Sequence, residues 1–375
     1  MSATETGTAD ALEPGRQSTA AEQDPAVSPA ETHDEPEVTS PVPRVVVTRT
    51  VARSSERVPE RGSGVKLASI SRTGDRIFSA LAGGSGVVIV GLVVFVAVFL
   101  LALALPALSR DQDNFLTSRN WIVVGNELRF GILGLLWTTV LSSVIAMLLA
   151  VPVAIGVALF LTQYAPKRLS GPLSFVVDLL AAVPSIIFGL WGLTVLGPFL
   201  NPAGVWISAH LGFIPLFANT GAQPKNSVFV ASIVLAIMIL PIVTAISRDV
   251  FAQTPRDHIE AALALGATRW EMILRAVMPY GRSGVISASM LGLGRALGET
   301  VAVLIILSTP AAGAKFSPSI FSGGETFASK IANNASEFDT PSKTGAFIAA
   351  GLVLFVVTFL VNALARVVAD RGSAK

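Results

Sequence analysis

The chain has 375 residues, of which 52% are hydrophobic and 14% are charged, and its formal net charge at pH 7 is +2. A soluble domain carries about 25% charged residues, so this composition indicates a membrane protein, and the small net charge gives no sign of nucleic-acid binding. The absence of cysteine from the sequence excludes disulfides, thiolate metal sites and cysteine nucleophiles, and the three histidines are too widely separated to indicate a metal site.

Residues 1–76 differ from the rest of the chain, being rich in Ser, Thr, Pro, Ala and Glu and almost without aromatic residues. Such a segment cannot bury enough apolar surface to fold, so we predict a disordered cytoplasmic tail. Its charges are segregated: residues 1–43 are mainly acidic, whereas residues 44–76 hold eight basic and three acidic side chains. The basic part either only orients the chain in the membrane or also attracts anionic lipid headgroups.

Six apolar stretches follow the tail and form a predicted transmembrane domain over residues 77–372. Each is long enough for a helix to cross a hydrocarbon core of about 30 Å. Backbone groups cannot stay unpaired in lipid and the stretches are too long for barrel strands, so the predicted fold class is an all-α membrane protein with six transmembrane helices. The predicted spans lie near residues 86–108, 132–161, 173–200, 228–247, 283–308 and 345–367.

The distribution of Lys and Arg predicts the orientation of these spans. With the N-terminus in the cytoplasm, the cytoplasmic segments hold 19 of the 27 basic residues and the external loops hold seven, while Arg295 lies within a span. Because basic residues are enriched on the cytoplasmic side, both termini and the segment between the fourth and fifth spans are predicted to be cytoplasmic.

The segment between the fourth and fifth spans, residues 254–279, is typical of two short helices separated by a turn. Thr254-Pro255 is typical of a helix start, and Gly266 allows a break between the helices. The spacing of the residues matches the EAA loop of ABC importer permeases, E-A-A-x3-G-x9-I-x-L-P, and the chain resembles that family here. The matching residues are Glu260, Ala261, Ala262, Gly266 and Pro279.

This resemblance implies a role for the loop, because in that family it fits a groove on the ATPase subunit and transmits nucleotide-driven closure to the spans. It implies that Glu260, Ala261 and Gly266 lie at or near that contact. Two positions depart from the pattern, since Ala276 and Met278 replace Ile and Leu, but both keep the apolar character. An ordinary amphipathic helix at the membrane surface is the alternative interpretation of the same residues.

The predicted fifth span contains two charged residues, Arg295 and Glu299, in an otherwise apolar sequence. A charge near the middle of the membrane costs at least about 2.5 kcal/mol on insertion scales, so it is expected to face a pathway or a partner. Residues four apart share a helix face, so the two side chains either pair with each other or both point into a translocation path. Gly294 and Gly298 form a small-xxx-small pair that would let another helix approach closely.

Two stretches of the spans closely resemble the phosphate-specific branch of this permease family, and in particular its PstC-type subunits. They are Gly-Leu-Gly-Arg-Ala-Leu-Gly-Glu-Thr-Val-Ala-Val at 292–303 and Ala-Val-Pro-Ser-Ile-Ile-Phe-Gly-Leu-Trp-Gly at 182–192. The resemblance implies that Arg295 and Glu299 take part in the passage of phosphate. Pro184 removes a backbone donor from the third span, so it and Ser185 either line the path or mark a packing kink.

The sequence contains no G-x-x-x-x-G-K-[ST] phosphate loop, so ATP and Mg²⁺ are expected to be used by a separate ATPase subunit, with no cofactor or metal on this chain. The resemblance implies a PstB-like ATPase dimer, a PstA-like second permease and a PstS-like extracytoplasmic phosphate-binding protein, in a bacterial cell membrane. The chain itself would then be a non-catalytic translocation subunit. A permease for sulfate or molybdate is the nearest alternative, and an ATP-independent carrier is a more distant one.

Overall fold

The computed structural model describes residues 72–124, 127–218, 224–310 and 316–373. Nearly all of the predicted tail, residues 1–71, lies outside this part of the chain, so the predicted disorder and lipid contact stay predictions. In chain order the elements are α1 (Arg72–Leu108), β1 (Trp121–Val124), β2 (Glu127–Phe130), α2 (Leu133–Leu159), α3 (Lys167–Ala181), α4 (Ser185–Trp191), α5 (Gly197–Leu211), α6 (Val228–Ala252), α7 (Arg256–Ala264), α8 (Arg269–Met272), α9 (Met278–Gly298), α10 (Val301–Ile306), α11 (Phe327–Asn333) and α12 (Pro341–Ser373).

Five helical segments in the described residues are long and apolar enough to cross a membrane, judged by length and composition. Each overlaps one of the predicted spans, which agrees with an all-α membrane fold. Two of them continue through π-helical turns, one at the end of α2 and one that joins α4 to α5. The five segments are Gly74–Leu108, Leu133–Tyr164, Ser185–Leu211, Val228–Ala252 and Pro341–Val367.

The predicted third span, residues 173–200, is divided in the structure. Helix α3 ends at Ala181, and Pro184 adopts φ −58° and ψ 138°, so the chain is extended there before α4 begins. Proline lacks a backbone N–H and disfavours the helical conformation of the residue before it, which explains the interruption. Helix α3 is amphipathic and buries no residue, and the apolar span therefore begins at Ser185 rather than at residue 173.

The predicted fifth span, residues 283–308, is also two helices. Helix α9 ends at Gly298, Glu299 adopts an extended conformation with φ −67° and ψ 126°, and α10 begins at Val301. Helix α9 is absent from the five apolar segments because it is rich in glycine and serine and carries two arginines, Arg282 and Arg295. The break falls within the stretch that resembles phosphate permeases.

Helix α6 forms the centre of the described fold and packs mainly against α2 and α9. Along α2 an alanine recurs at every fourth position, and each of these alanines is almost completely buried. Residues four apart share a helix face, and a methyl side chain leaves room for the neighbouring helices to approach closely. This alanine face consists of Ala146, Ala150, Ala154 and Ala158.

A β-hairpin, which the sequence pattern does not predict, connects α1 to α2. Strands β1 and β2 pair in antiparallel register, with Trp121 opposite Phe130. Phe130 is fully buried in a cluster with side chains from α1 and α12, and the Trp121 ring lies 5.4 Å from the Phe347 ring of α12. The hairpin thus covers one end of the α1–α12 pair.

Helices α4 and α10 approach each other closely because glycines lie at their contact. A Cβ atom on Gly189 would lie 2.9 Å from the Cα of Ala302, and one on Gly192 would lie 2.9 Å from the Ile306 Cδ1 atom. Because the atom opposite Gly189 belongs to the backbone and cannot move aside, the contact requires glycine at this position. The two sequence stretches that resemble phosphate permeases therefore pack directly against each other.

Replacing Gly189 with alanine is expected to lower the melting temperature of the purified chain in detergent, because the contacted atom belongs to the Ala302 backbone. Gly156→Ala is the matched control, since a Cβ there meets nothing within 4 Å. Alanine is favoured over glycine in a helix interior by roughly 0.5–1 kcal/mol, so the control should be neutral or stabilising. Equal melting temperatures for the two variants would contradict the close α4–α10 contact.

Candidate functional site

A cavity of about 630 Å³ lies between α6, α9 and α12. Arg295 of α9 contributes to its wall, and the Nε atom of this side chain is buried without a hydrogen-bond partner. A buried charged donor without a partner is costly, so Arg295 is a candidate for binding a group that this chain does not supply. The other lining residues are Ile242, Ser287, Met290, Leu291, Gly294 and Asn362.

Glu299 occupies a different place from Arg295. Its side chain is buried, with 8% exposure, and its Oε1 accepts a hydrogen bond of 3.2 Å from the backbone N–H of Ala302. It therefore satisfies one of the N–H groups that the first turn of α10 leaves without an intrahelical partner. Glu299 is not among the residues that line the cavity.

Arg295 and Glu299 are separated in the structure, and only Arg295 lines the cavity. Among the described residues, no ion pair joins them. The prediction that both side chains share one face assumed a continuous helix, but α9 ends at Gly298, and the extended backbone of Glu299 turns its side chain towards α10. Arg295 faces the cavity, and Glu299 caps the next helix.

Gly294 and Gly298 make no close helix contact within the described residues, because a Cβ atom on either would meet nothing within 4 Å. Gly292 makes the close contact instead, where a Cβ would lie 2.8 Å from the Val243 Cγ2 atom of α6. Within the described residues, no helix therefore packs closely on Gly294 and Gly298. Their face of α9 is open, and Gly294 borders the cavity.

Pro184 and Ser185 lie at the start of α4, where Pro184 is exposed and Ser185 is partly buried. Neither belongs to the cavity that Arg295 lines. Their connection to it is indirect, because α4 packs on α10 through Gly189 and Ala302, and the Ala302 N–H is the donor to Glu299. The two helix breaks are therefore linked by packing.

The loop between α6 and α9 has the predicted helix–turn–helix form. Helix α7 ends at Ala264, and Gly266 adopts φ +82°, a left-handed conformation that favours glycine. Helix α8 follows and runs through a π-helical turn, Ile273–Val277, into α9. The loop is therefore continuous with the helix that carries Arg295.

The residues that match the EAA pattern lie mostly on the surface of this loop. Glu260, Ala261 and Gly266 are exposed, and Pro279 is exposed in the first turn of α9. Ala262 is partly buried and packs on a cluster that holds the loop against the ends of α2 and α6. One edge of the motif thus anchors the loop, and the other edge is available to a partner.

Large apolar side chains on the same loop are also exposed, and the sequence pattern did not single them out. Leu265 is 90% exposed, and Leu263, Trp270 and Leu274 are exposed to lesser degrees. Contiguous exposed apolar side chains mark interaction surfaces. The EAA pattern places a turn at Gly266, so apolar residues close to this turn could have been predicted from the sequence to be exposed.

Thr268 and Glu271 form a capping box that fixes the start of α8. The Thr268 N–H donates to the Glu271 carboxylate at 2.9 Å, and the Glu271 N–H donates to the Thr268 Oγ1 at 3.3 Å. The backbone N–H and hydroxyl of Thr268 lower the pKa of Glu271, with Arg275 lowering it further. Since this pKa is depressed by folding, the stabilisation is present above the unfolded pKa and is lost as pH falls through the folded pKa.

Comparison with known proteins places this geometry in a family. The family model described as "Binding-protein-dependent transport system inner membrane component" matches residues 150–373, and the chain belongs to that family. The match includes the EAA-like loop, α9 and the cavity. It confirms the predicted class, an all-α permease that acts as the transport subunit in the inner membrane.

Individual proteins also match this chain over most of its length. The "Phosphate transport system permease protein PstC 2" of Mycobacterium tuberculosis is 55% identical over 302 residues, which cover 80% of this chain and 93% of the relative. The "Phosphate transport system permease protein PstC" of Mesorhizobium japonicum is 40% identical over 305 residues, covering 80% and 91%. Among solved structures, a bacterial alginate ABC transporter aligns with 63% of this chain and 77% of its own, at 18% identity and a TM-score of 0.47.

Replacing Glu299 with alanine is expected to lower the melting temperature of the purified chain, because it removes the acceptor at the start of α10. Loss of a helix cap costs about 0.5–2 kcal/mol. Glu299→Gln is the matched control, since its amide oxygen can accept the same hydrogen bond without the charge. An alanine variant that melts at the wild-type temperature would contradict the capping role.

Proposed function

We propose that this chain is the membrane-spanning permease subunit of an ATP-driven ABC importer that translocates inorganic phosphate into the cytoplasm. The observation that carries this proposal is the buried, unpartnered Nε atom of Arg295 in a cavity between membrane helices. A guanidinium attracts an oxyanion because it supplies both a positive charge and donors of fixed geometry. The names of the relatives favour phosphate over sulfate or molybdate.

In this proposal Arg295 provides the attraction that brings the anion through the membrane. The apolar side chains around the cavity lower the local dielectric, which strengthens the interaction between the guanidinium and an anion. Glu299 holds the start of α10, so the break between α9 and α10 keeps its shape beside the path. Pro184 and Ser185 contribute through the α4–α10 contact, since α4 begins at the other break.

The loop between α6 and α9 is the proposed docking site for a PstB-like ATPase dimer, which binds and hydrolyses ATP with Mg²⁺. The exposed Glu260, Ala261 and Gly266 and the exposed apolar side chain of Leu265 support this assignment. Because α8 continues through its π-helical turn into α9, a displacement of the loop is passed to the wall of the cavity. Both termini and this loop are then cytoplasmic, as the distribution of basic residues favours.

Two further partners complete the proposed importer. The open face of α9 at Gly294 and Gly298, which no helix of this chain covers within the described residues, is where a PstA-like second permease would pack. A PstS-like phosphate-binding protein would deliver the anion on the external side. The chain itself then carries out no hydrolysis.

Replacing Leu265 with aspartate is expected to release the ATPase from the complex without unfolding the permease. The side chain is 90% exposed, so the fold does not depend on it, whereas a docked surface would bury a carboxylate in an apolar contact. Leu116→Asp is the matched control, because Leu116 is 64% exposed and lies between α1 and β1, away from the loop. Affinity purification of the permease measures the retained ATPase, and equal retention in both variants would contradict docking at Leu265.

Replacing Arg295 with alanine is expected to reduce phosphate uptake by about tenfold or more, since a hydrogen bond to a charged group contributes about 1.5–3 kcal/mol. The assay follows ATP-driven uptake of labelled phosphate into proteoliposomes that contain the whole complex, with and without excess sulfate. Arg129→Ala is the control, because Arg129 is exposed on β2 and bonds only to Gln112 among the described side chains.

Arg295→Lys should retain part of the uptake, because it keeps the charge but loses the fixed donor geometry. Uptake at the wild-type rate in Arg295→Ala would remove this residue from the pathway. A wild-type complex that transports sulfate or molybdate and ignores phosphate would leave the permease assignment intact and reject the substrate.

A further inference from the structure

Asn362 is an uncharged polar residue in the apolar helix α12, within the segment Pro341–Val367. Its side-chain amide makes no hydrogen bond to any other described residue, although an amide has two donor hydrogens and a carbonyl acceptor. Polar side chains in a membrane span normally pair with each other or face a cavity. The Asn362 side chain is exposed and lines the same cavity as Arg295.

The remaining walls of this cavity offer almost no other hydrogen-bond donors. Ile242, Met290 and Leu291 are apolar, and Gly294 has no side chain. Ser287 has a hydroxyl, but it donates its hydrogen to the Ser283 carbonyl at 3.0 Å. Among the side chains that line the cavity, those of Arg295 and Asn362 therefore have hydrogen-bond donors that a ligand could use.

The two residues come from different helices, so a ligand between them would be held from two sides. Ser287 and Arg295 are eight residues apart on α9, so the cavity follows that helix for about 12 Å at 1.5 Å per residue. Gly294 lies beside Arg295 on the cavity wall, and the absence of a side chain there leaves room for a small anion.

From this arrangement we infer that Asn362 is a specificity-determining residue of the anion path, acting together with Arg295 on a protonated tetrahedral oxyanion. The inference rests on the proposed phosphate permease function and extends it. Arg295 supplies the charge that every oxyanion requires. The Asn362 amide supplies a donor to an anionic oxygen and, through its carbonyl, an acceptor for the hydroxyl of a protonated phosphate.

The acceptor is what distinguishes one oxyanion from another. Sulfate is fully ionised and has no hydroxyl hydrogen, so it offers the Asn362 carbonyl nothing to accept. A site that hydrogen-bonds a hydroxyl favours the ligand that carries it over an analogue that lacks it, because the analogue gives the acceptor no hydrogen. Arg295 alone has no acceptor and cannot make this distinction.

The test compares Asn362→Leu and Asn362→Asp with the wild type in the complete complex, reconstituted in proteoliposomes with labelled inorganic phosphate and labelled sulfate. Thr358→Val is the matched control, because Thr358 lies one turn earlier on α12, does not line the cavity, and uses its hydroxyl hydrogen on the Leu354 carbonyl at 2.8 Å. The KM and kcat of phosphate uptake and the inhibition by sulfate are measured for each. Assembly with the ATPase is checked by size-exclusion chromatography.

We expect Asn362→Leu to raise the KM for phosphate by about tenfold and to increase the inhibition by sulfate relative to phosphate, since one hydrogen bond to a charged ligand is lost. Asn362→Asp keeps the size and the acceptor but has no donor when ionised, so phosphate uptake should fall further. If the leucine variant does not assemble, the aspartate variant still tests the donor of Asn362 through the KM for phosphate.

Phosphate kinetics and sulfate discrimination within twofold of the wild type in both variants would overturn the role of Asn362 alone. A wild-type complex that transports sulfate and not phosphate would overturn the substrate of the proposed function together with this inference. Loss of discrimination in Thr358→Val as large as that in Asn362→Leu would make the effect a general consequence of altering α12, and would also overturn it.

Discussion

The rest of this structure depends on one constraint, that backbone N–H and C=O groups at membrane depth must be satisfied within the protein. A continuous helix meets it automatically, whereas an interrupted helix must place its free groups against other parts of the protein. This chain has two such interruptions, at Pro184 and at Glu299. They are connected, because α4 packs on α10 through Gly189, and the Glu299 carboxylate accepts from the Ala302 N–H in the same contact.

This constraint separates the roles of the two charged residues in the α9–α10 segment. Glu299 stabilises the break because a carboxylate at the start of a helix accepts from free N–H groups and is favoured by the helix dipole. Arg295 has no such partner, and its Nε atom remains a buried donor beside the cavity. In a membrane protein an unsatisfied charged donor of this kind is more readily explained by a bound anion than by packing.

The same helix, α9, joins the proposed docking surface to the proposed path. The loop between α6 and α9 is held against α2 and α6 by the cluster that includes Phe251, Met272 and Ile273, and it continues through a π-helical turn into α9. Packing in such a cluster is dense, so a displacement of the loop is passed on rather than absorbed. Within the described residues the opposite face of α9, at Gly294 and Gly298, is open, as expected for a subunit that completes its path with a partner.

The sequence alone indicates the membrane class, most of the helices and the EAA-like loop, and it singles out Arg295 as a candidate. Composition, apolar run length and motif spacing are local properties, so they can be read without the tertiary structure. The hairpin at 121–130, the start of the third span at Ser185 and the separation of Arg295 from Glu299 cannot be read in this way. The separation depends on the extended backbone at Glu299, which breaks the helical spacing that the prediction assumed. Asn362 and Arg295 are 67 positions apart in the sequence, and they line one cavity only because α6, α9 and α12 pack around it. No local sequence pattern encodes that packing.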